Sequence, residues 1–306
     1  MNLEDRQALG ELDARLRTML PEEYQDSYEA LQPVPMRSAG LKYGPDGKVA
    51  WDEIWGSFCD LAMAGGPPHK GALLEAGTRT AIAARPARYA EVTAELRRGV
   101  EMVTELPTEL SPTPGWIRVT CLNETMARWL LRAIVMENVA VRREHHMLDL
   151  PAAPDFRLDK EIKNVVTVIA KTCHYWLGHT PRAQQRAIGD LFRAMDDESP
   201  AVEPAVVEDS GREAVEALAA RIAERVATET GLASSARRYD GWLGLECPAE
   251  RTAIWLMRAL VASNVLSRRE GTVLFVPVNP ASDPEGDTVV RSVGRAYRIA
   301  VARGLL

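Results

Sequence analysis

The chain has 306 residues, of which 46% are apolar and 26% are charged, with 37 basic and 43 acidic side chains. This composition can fill folded cores, so it excludes a wholly disordered chain and indicates about two domains. The formal charge of −6 weighs against a dedicated nucleic-acid-binding protein.

The sequence also weighs against export and membrane insertion. No apolar run approaches the roughly 18 residues that span a bilayer, and the first residues lack the basic-then-apolar order of a signal peptide. The four Cys include no CxxC pair, which disfavours a disulfide scaffold or a zinc ribbon. We therefore expect a cytoplasmic protein without a membrane partner.

The N-terminal region, residues 1–83, is predicted to be helical, with helices near 3–19, 22–31 and 51–64. The last helix runs into a turn with paired glycines and prolines, which would let the backbone approach a ligand and would hold the turn rigid. A helix end followed by a simple connecting turn explains the same string equally well. The candidate site residues here are Cys59, His69 and Lys70.

An internal repeat follows at a spacing of 126 residues. Residues 115–139 read GWIRVTCLNETMARWLLRAIVMENV, and residues 241–265 read GWLGLECPAERTAIWLMRALVASNV. Twelve of these 25 positions are identical without a gap, whereas unrelated segments would share about one or two. The match indicates a duplication.

Each copy is predicted to be an α-β-α-β-β-α unit with helices on a small sheet, which gives an α+β fold. We expect a tandem pseudo-twofold duplication of this unit, preceded by the helical N-terminal region. The first copy covers 84–180 and the second covers 211–306. Residues 181–210 between them are predicted to be a helix and an acidic, Pro-bearing linker that is mobile.

Residues shared by both copies are expected to serve the fold. The two cysteines at matching strand ends, Cys121 and Cys247, are predicted to be buried packing thiols. Asn138 and Asn264 stand where a left-handed residue would end a helix. Positions found only in the first copy are the better functional candidates, because the second copy is expected to be a structural, degenerate partner.

All six Lys and all five His fall between residues 42 and 179. Three lysines recur at helical spacing with a histidine on the predicted helix 159–177, and such a row suits a carboxylate or a phosphate. A solvated helix face explains the row as well, and the second copy keeps a comparable row of arginines. The predicted ligand-binding residues are Lys70, Lys160, Lys163 and Lys171.

The histidines could instead hold a metal. His174 and His179 are five residues apart, so they could ligate one ion only if the helix stopped at Gly178. His145 and His146 lie at a predicted hairpin tip and would point to opposite faces. Surface imidazoles explain these positions too, since no metal-ligand spacing motif is present. The candidate metal ligands are His145, His146 and His179, and the candidate catalytic residues are His69, His174 and Cys59.

Two functional hypotheses remain open. The first is a cytosolic enzyme that acts on a small anionic metabolite at an asymmetric His/Lys site in the N-terminal half, with or without a transition metal. The second is a non-catalytic module, built on a pseudo-dimer, that binds another protein or a second copy, or carries a cofactor or metal. Nucleic-acid binding is disfavoured because aromatic residues do not interleave with the basic row.

Overall fold

The structure is a computed structural model that describes residues 3–25, 40–54, 71–206 and 211–305. The described residues form α-helices and two four-stranded antiparallel sheets, which confirms the predicted α+β class. They fall into two compact units. The first unit comprises Val34–Pro181, and the second combines Met1–Pro33 with Arg182–Leu306.

The elements are numbered here in chain order. The helices are α1 (Leu3–Met19), α2 (Arg79–Ala84), α3 (Pro86–Thr104), α4 (Glu124–Met136), α5 (Lys163–Gly178), α6 (Arg182–Glu198), α7 (Arg212–Thr230), α8 (Glu250–Val261) and α9 (Asp287–Ala302). The strands are β1 (Thr108–Leu110), β2 (Trp116–Thr120), β3 (Arg142–Glu144), β4 (Met147–Pro151), β5 (Ser234–Tyr239), β6 (Trp242–Glu246), β7 (Arg268–Glu270) and β8 (Val273–Pro277).

The two sheets have the same strand order, β1-β2-β4-β3 in the first unit and β5-β6-β8-β7 in the second. Their registers also correspond, because Trp116 pairs with Pro151 and Trp242 pairs with Pro277. This similarity fits the predicted duplication. Each unit has one more strand than the sequence indicated, since β1 and β5 are edge strands whose residues do not alternate between apolar and polar.

Helices α4 and α8, which occupy the same place in the two repeats, end just before the Asn residues that the sequence predicted as their ends. Asn138 follows α4 with φ = 59°, and Asn264 follows α8 with φ = 62°, so both residues adopt the left-handed conformation. Asn tolerates this conformation better than most residues with a side chain. The reversal directs the chain from the helix into the following hairpin.

The described part of the acidic segment after α6, which the sequence suggested to be a mobile linker, is held by backbone hydrogen bonds at Val202. Val202 is 1% exposed, and it forms a parallel bridge with Val265. Its backbone nitrogen donates to the Asn264 carbonyl at 2.9 Å, and its carbonyl accepts from Leu266 at 2.9 Å. In the first unit, Leu74 makes the same contacts beside Val139. The similarity between the units therefore extends upstream of the repeat seen in the sequence.

The N-terminal region is divided between the units. Helix α1 belongs to the second unit, where Arg15 pairs with Glu198 at 2.6 Å and Gln184 donates to the Leu20 carbonyl at 2.7 Å. The predicted helix at 22–31 is seen only as a short 3₁₀ turn over Glu22–Tyr24, and the predicted helix at 51–64 only as a helical turn at 51–54. Their remaining residues lie outside the described part of the chain, apart from Gln25. Within the described residues, no helix has the length and apolarity to cross a membrane.

Candidate functional site

The candidate site lies at the C-terminal end of α5 in the first unit. This helix packs against α3 and α4 and buries most of its residues from Val165 to Trp176. It ends at Gly178, because His179 leaves the helical conformation with φ = −124° and ψ = 6°. The His179 backbone nitrogen still donates to the Tyr175 carbonyl at 3.0 Å, which keeps His179 close to the last turn of the helix.

This helix end brings two histidines together. The Nε2 atoms of His174 and His179 are 3.0 Å apart, and the two ring centroids are 4.8 Å apart. On a continuous helix, residues five apart would point about 140° away from each other. The condition stated from the sequence, that the helix must stop at Gly178, is therefore met. Both imidazoles are half-buried, so solvent reaches the pair.

The histidine pair lies beside two buried residues, Tyr175 and Thr180. Tyr175 is buried beside it, with its ring centroid 6.0 Å from that of His179 and 6.3 Å from that of His174. Thr180 is also buried, and its hydroxyl donates to the Tyr175 carbonyl at 3.0 Å. These contacts fix the backbone on both sides of Gly178, and so they fix the spacing of the two rings.

One helical turn before His174, Lys171 forms a buried ion pair. Its Nζ lies 3.0 Å from Glu137 Oε1, and the two side chains are 10% and 16% exposed. Glu137 is the residue that follows α4. Its other carboxylate oxygen, Oε2, is buried and has no hydrogen-bond partner within the described part of the chain. The ammonium of Lys171 is thus already neutralised by a carboxylate.

The predicted lysine row is therefore not a single anion site. Lys160 precedes α5 in a short π-helical turn, where it is exposed and lies 3.5 Å from Glu161. Lys163 begins α5, eleven residues before His174, which corresponds to about 16 Å along the helix axis. A small metabolite cannot contact both ends. The spacing correctly placed these residues along one helix, but it did not show that Lys171 points inward.

The other predicted histidines lie elsewhere in the first unit. His145 and His146 form the exposed tip between β3 and β4, and His145 has φ = 53°. The His146 carbonyl accepts a hydrogen bond from the Cys121 nitrogen at 2.9 Å. Within the described residues, no three His, Cys, Asp or Glu side chains are grouped as metal ligands. His69, Lys70 and Cys59 lie outside those residues.

The described cysteines are packing residues. Cys121, Cys173 and Cys247 are buried free thiols. Burial raises the pKa of Cys121 and of Cys247 to about 12, and burial together with the nearby Cys121 raises the pKa of Cys173 well above its usual value. Because the thiolate is the nucleophile, burial makes these three thiols poorly suited to nucleophilic catalysis.

Two residues of the site were missed by the sequence reasoning. In the second unit, Ser263 corresponds to Glu137 at the repeat spacing of 126 residues. Ile299 corresponds to Tyr175 when the 16-residue helices α5 and α9 are aligned. Comparing the two copies for charges present in only one of them would have found Glu137. No comparable signal marks Tyr175.

The second unit does not repeat the site. Matching the 16-residue helices α5 and α9 places Arg298 at the position of His174 and Arg303 at that of His179. Arg303 stacks on Trp255, with its guanidinium carbon 4.9 Å from the ring centroid. The ion pair at the Lys171 position joins Arg295 to Glu11 at 3.5 Å and is exposed. The imidazole pair is therefore a feature of the first unit.

Comparison with known proteins adds no assignment: no family model matches the chain, and neither a curated protein nor a solved structure is similar to it.

Proposed function

We propose that this protein is an enzyme that acts on a small anionic metabolite, a carboxylate or a phosphate, at the end of α5. The observation that supports the proposal is the approach of His174 Nε2 to His179 Nε2, 3.0 Å, in a half-buried position. Histidine is the side chain whose unmodified proton affinity best suits acid–base work near neutral pH. The fold constrains both rings, as a reacting group requires.

The asymmetry between the two units supports the same site. Residues that both units share, such as the left-handed Asn138 and Asn264, are explained by the fold they have in common. The histidine pair is explained by nothing that the units share. A feature that one unit has and a similar unit lacks is a better candidate for chemistry than for packing.

In this proposal the histidine pair, and not the lysine row, recognises the negative charge of the substrate. Lys171 is neutralised by Glu137, and Lys160 lies against Glu161. An imidazole N–H would donate a hydrogen bond to the substrate, and a cation held by the pair would add positive charge beside it. His69, Lys70 and Cys59 remain candidate functional residues from the sequence, and they lie outside the described part of the chain. We propose a cytosolic location, in keeping with the buried free thiols of the described residues.

The proposal is tested by thermal unfolding of the full chain with a panel of carboxylates and phosphate esters. A ligand that binds only the folded state raises the unfolding temperature, and the stabilisation grows with the logarithm of 1 + [L]/Kd. We expect at least one of these anions to stabilise the wild-type protein and to lose that effect in His174→Gln. The control is His146→Gln, at the exposed hairpin tip, which should keep the stabilisation.

A non-catalytic module is the second candidate, and the buried ion pair of Lys171 with Glu137 favours it because it neutralises one cation of the predicted anion site. Under this alternative the protein binds a protein partner, a second copy, or a carried cofactor or metal. If no anion stabilises the wild-type protein, or if His174→Gln responds as the wild type does, the enzyme proposal fails and the module stands.

A further inference from the structure

The Nε2 atoms of the two imidazoles lie at hydrogen-bond distance, 3.0 Å, but the rings are not in line. If the rings pointed their Nε2 atoms at each other along one line, a 3.0 Å contact would put the ring centroids about 5.3 Å apart, since each centroid lies about 1.15 Å behind its nitrogen. The observed centroid separation is 4.8 Å. At least one ring axis is therefore inclined to the line that joins the nitrogens, so an N–H···N bond between them is bent.

A metal ion accounts for both distances. An ion about 2.0 Å from each Nε2, with an N–metal–N angle of about 100°, would hold the nitrogens about 3.1 Å apart and the centroids about 4.8 Å apart. The structure has 3.0 Å and 4.8 Å. We infer that His174 and His179 chelate one divalent transition-metal ion of the zinc type through their Nε2 atoms.

The position of the pair favours a cation. His174 lies in the last turn of α5 and His179 follows its final residue, so both are beside the negative end of the helix dipole, where cations are stabilised and anions are not. Imidazole nitrogen is a ligand that zinc, copper and nickel accept readily, whereas calcium and magnesium prefer oxygen. The imidazole ligands and the negative end of the helix dipole therefore both favour a divalent transition-metal cation.

Two protein ligands leave coordination positions open. Because both rings are half-buried, these positions are accessible to water or to an oxyanion. An ion with open positions can bind a substrate oxygen directly, as catalytic zinc sites do. This last step rests on the proposed function. The ion supplies the positive charge that binds the anion, because Lys171 is already paired with Glu137.

The test is a calorimetric titration of the full chain, purified without a His tag, with Zn²⁺ and with Mg²⁺. We expect one zinc ion to bind per chain and magnesium not to bind. His174→Gln and His179→Gln should each lose the zinc isotherm, and the double variant His145→Gln/His146→Gln should keep it. Zinc binding that persists in both single variants, or an absence of zinc binding by the wild type, overturns the inference.

A second measurement needs no variant and covers the case in which one of them fails to fold. Wild-type protein is treated with diethyl pyrocarbonate with and without Zn²⁺, and the modified histidines are mapped by mass spectrometry. Protection of His174 and His179, but not of His145 and His146, supports the site. Equal modification of His174 and His179 with and without zinc overturns it.

The two proposals fail in different ways. Repeating the anion panel with and without Zn²⁺ separates them: zinc binding without stabilisation by any anion leaves the metal site and removes the enzyme. Stabilisation by an anion that depends on His174, without zinc binding, leaves the enzyme and removes the metal site.

Discussion

Asn138 and Asn264, 126 residues apart in the chain, make the same contact in their own units. Asn138 Nδ2 donates to the Gly71 carbonyl at 3.0 Å, and Asn264 Nδ2 donates to the Ser199 carbonyl at 2.9 Å. In each case the left-handed residue after a helix hydrogen-bonds to the segment just before the parallel bridge of that unit, at Leu74 or Val202. The amide thus joins two parts of the fold that are far apart in sequence.

The first prediction concerns this residue in the second unit. Asn264→Ala should lower the free energy of unfolding by about 2 kcal/mol, because it loses a buried hydrogen bond and puts a less tolerant residue at φ = 62°. Asn264→Gly should cost only about 1 kcal/mol, because glycine accepts that conformation and loses only the amide contacts. Urea unfolding measures both, and equal losses would contradict the conformational argument.

The second prediction separates a packed segment from a linker. Val202 is 1% exposed and Val206 is 59% exposed, and both lie in the same acidic stretch. Val202→Ala should lower the free energy of unfolding by about 2 kcal/mol through the cavity it leaves, while Val206→Ala should change it by less than about 0.5 kcal/mol. If Val202→Ala were as neutral as Val206→Ala in urea unfolding, the segment would be a linker after all.

The third prediction concerns the buried ion pair beside the histidines. Lys171→Met should destabilise the protein by about 3 kcal/mol, because it leaves the Glu137 carboxylate buried without its cation. The double variant Lys171→Met/Glu137→Leu should recover much of that loss, since no charge remains buried. Lys160→Ala, which removes an exposed partner of Glu161, should cost less than about 0.5 kcal/mol. A double-mutant cycle in urea that gave additive losses would contradict the pairing.

The fourth prediction concerns thiol reactivity. Because burial raises the pKa of Cys121 and of Cys247 to about 12, these thiols remain protonated at pH 8, and iodoacetamide should not label them, or Cys173, in the native protein. All three should react in urea. Peptide mapping reads each site separately, and native labelling of any of them would show that the site opens.

The same raised pKa values set the sign of an effect on stability. Unfolded thiols lose their protons near pH 9 and the buried ones near pH 12, so each contributes stability that is complete below pH 9 and is lost as the pH rises toward 12. Cys121→Ala should therefore show a smaller drop in the free energy of unfolding between pH 8 and pH 10.5 than the wild type. An equal drop would show that Cys121 ionises as readily in the folded chain.

Some features were predictable because a single local signal determines them. The repeated Asn at the end of an apolar helical face predicted the left-handed residues 138 and 264. The apolar spacing predicted α4, α5 and their counterparts. Matching Cys121 with Cys247 predicted that both are packing thiols, and their burial confirms it. The helix ends and apolar faces depend on neighbours within a few turns of the same helix, and the cysteine prediction depends on comparing the two copies.

Other features depend on contacts between distant parts of the chain. Helical spacing put Lys163, Lys171 and His174 on one helix, but only the packing of α3 and α4 determines that Lys171 faces a carboxylate from another helix end. The bridge of Val202 to Val265 is one residue pair long, so no pattern marks it. The approach of His174 to His179 required knowing where α5 ends, which a Gly signals but does not fix.

The division of the N-terminal region has a consequence for synthesis. Helix α1 is made before the first unit, yet the helices that cover its apolar side follow that unit in the chain. At ribosomal rates of about 5–20 residues per second, that side waits on the order of tens of seconds for its partners, while the first unit can fold as it emerges. The nascent chain therefore carries an uncovered apolar stripe until those helices have been made, formed by Ala8, Leu12, Leu16 and Met19.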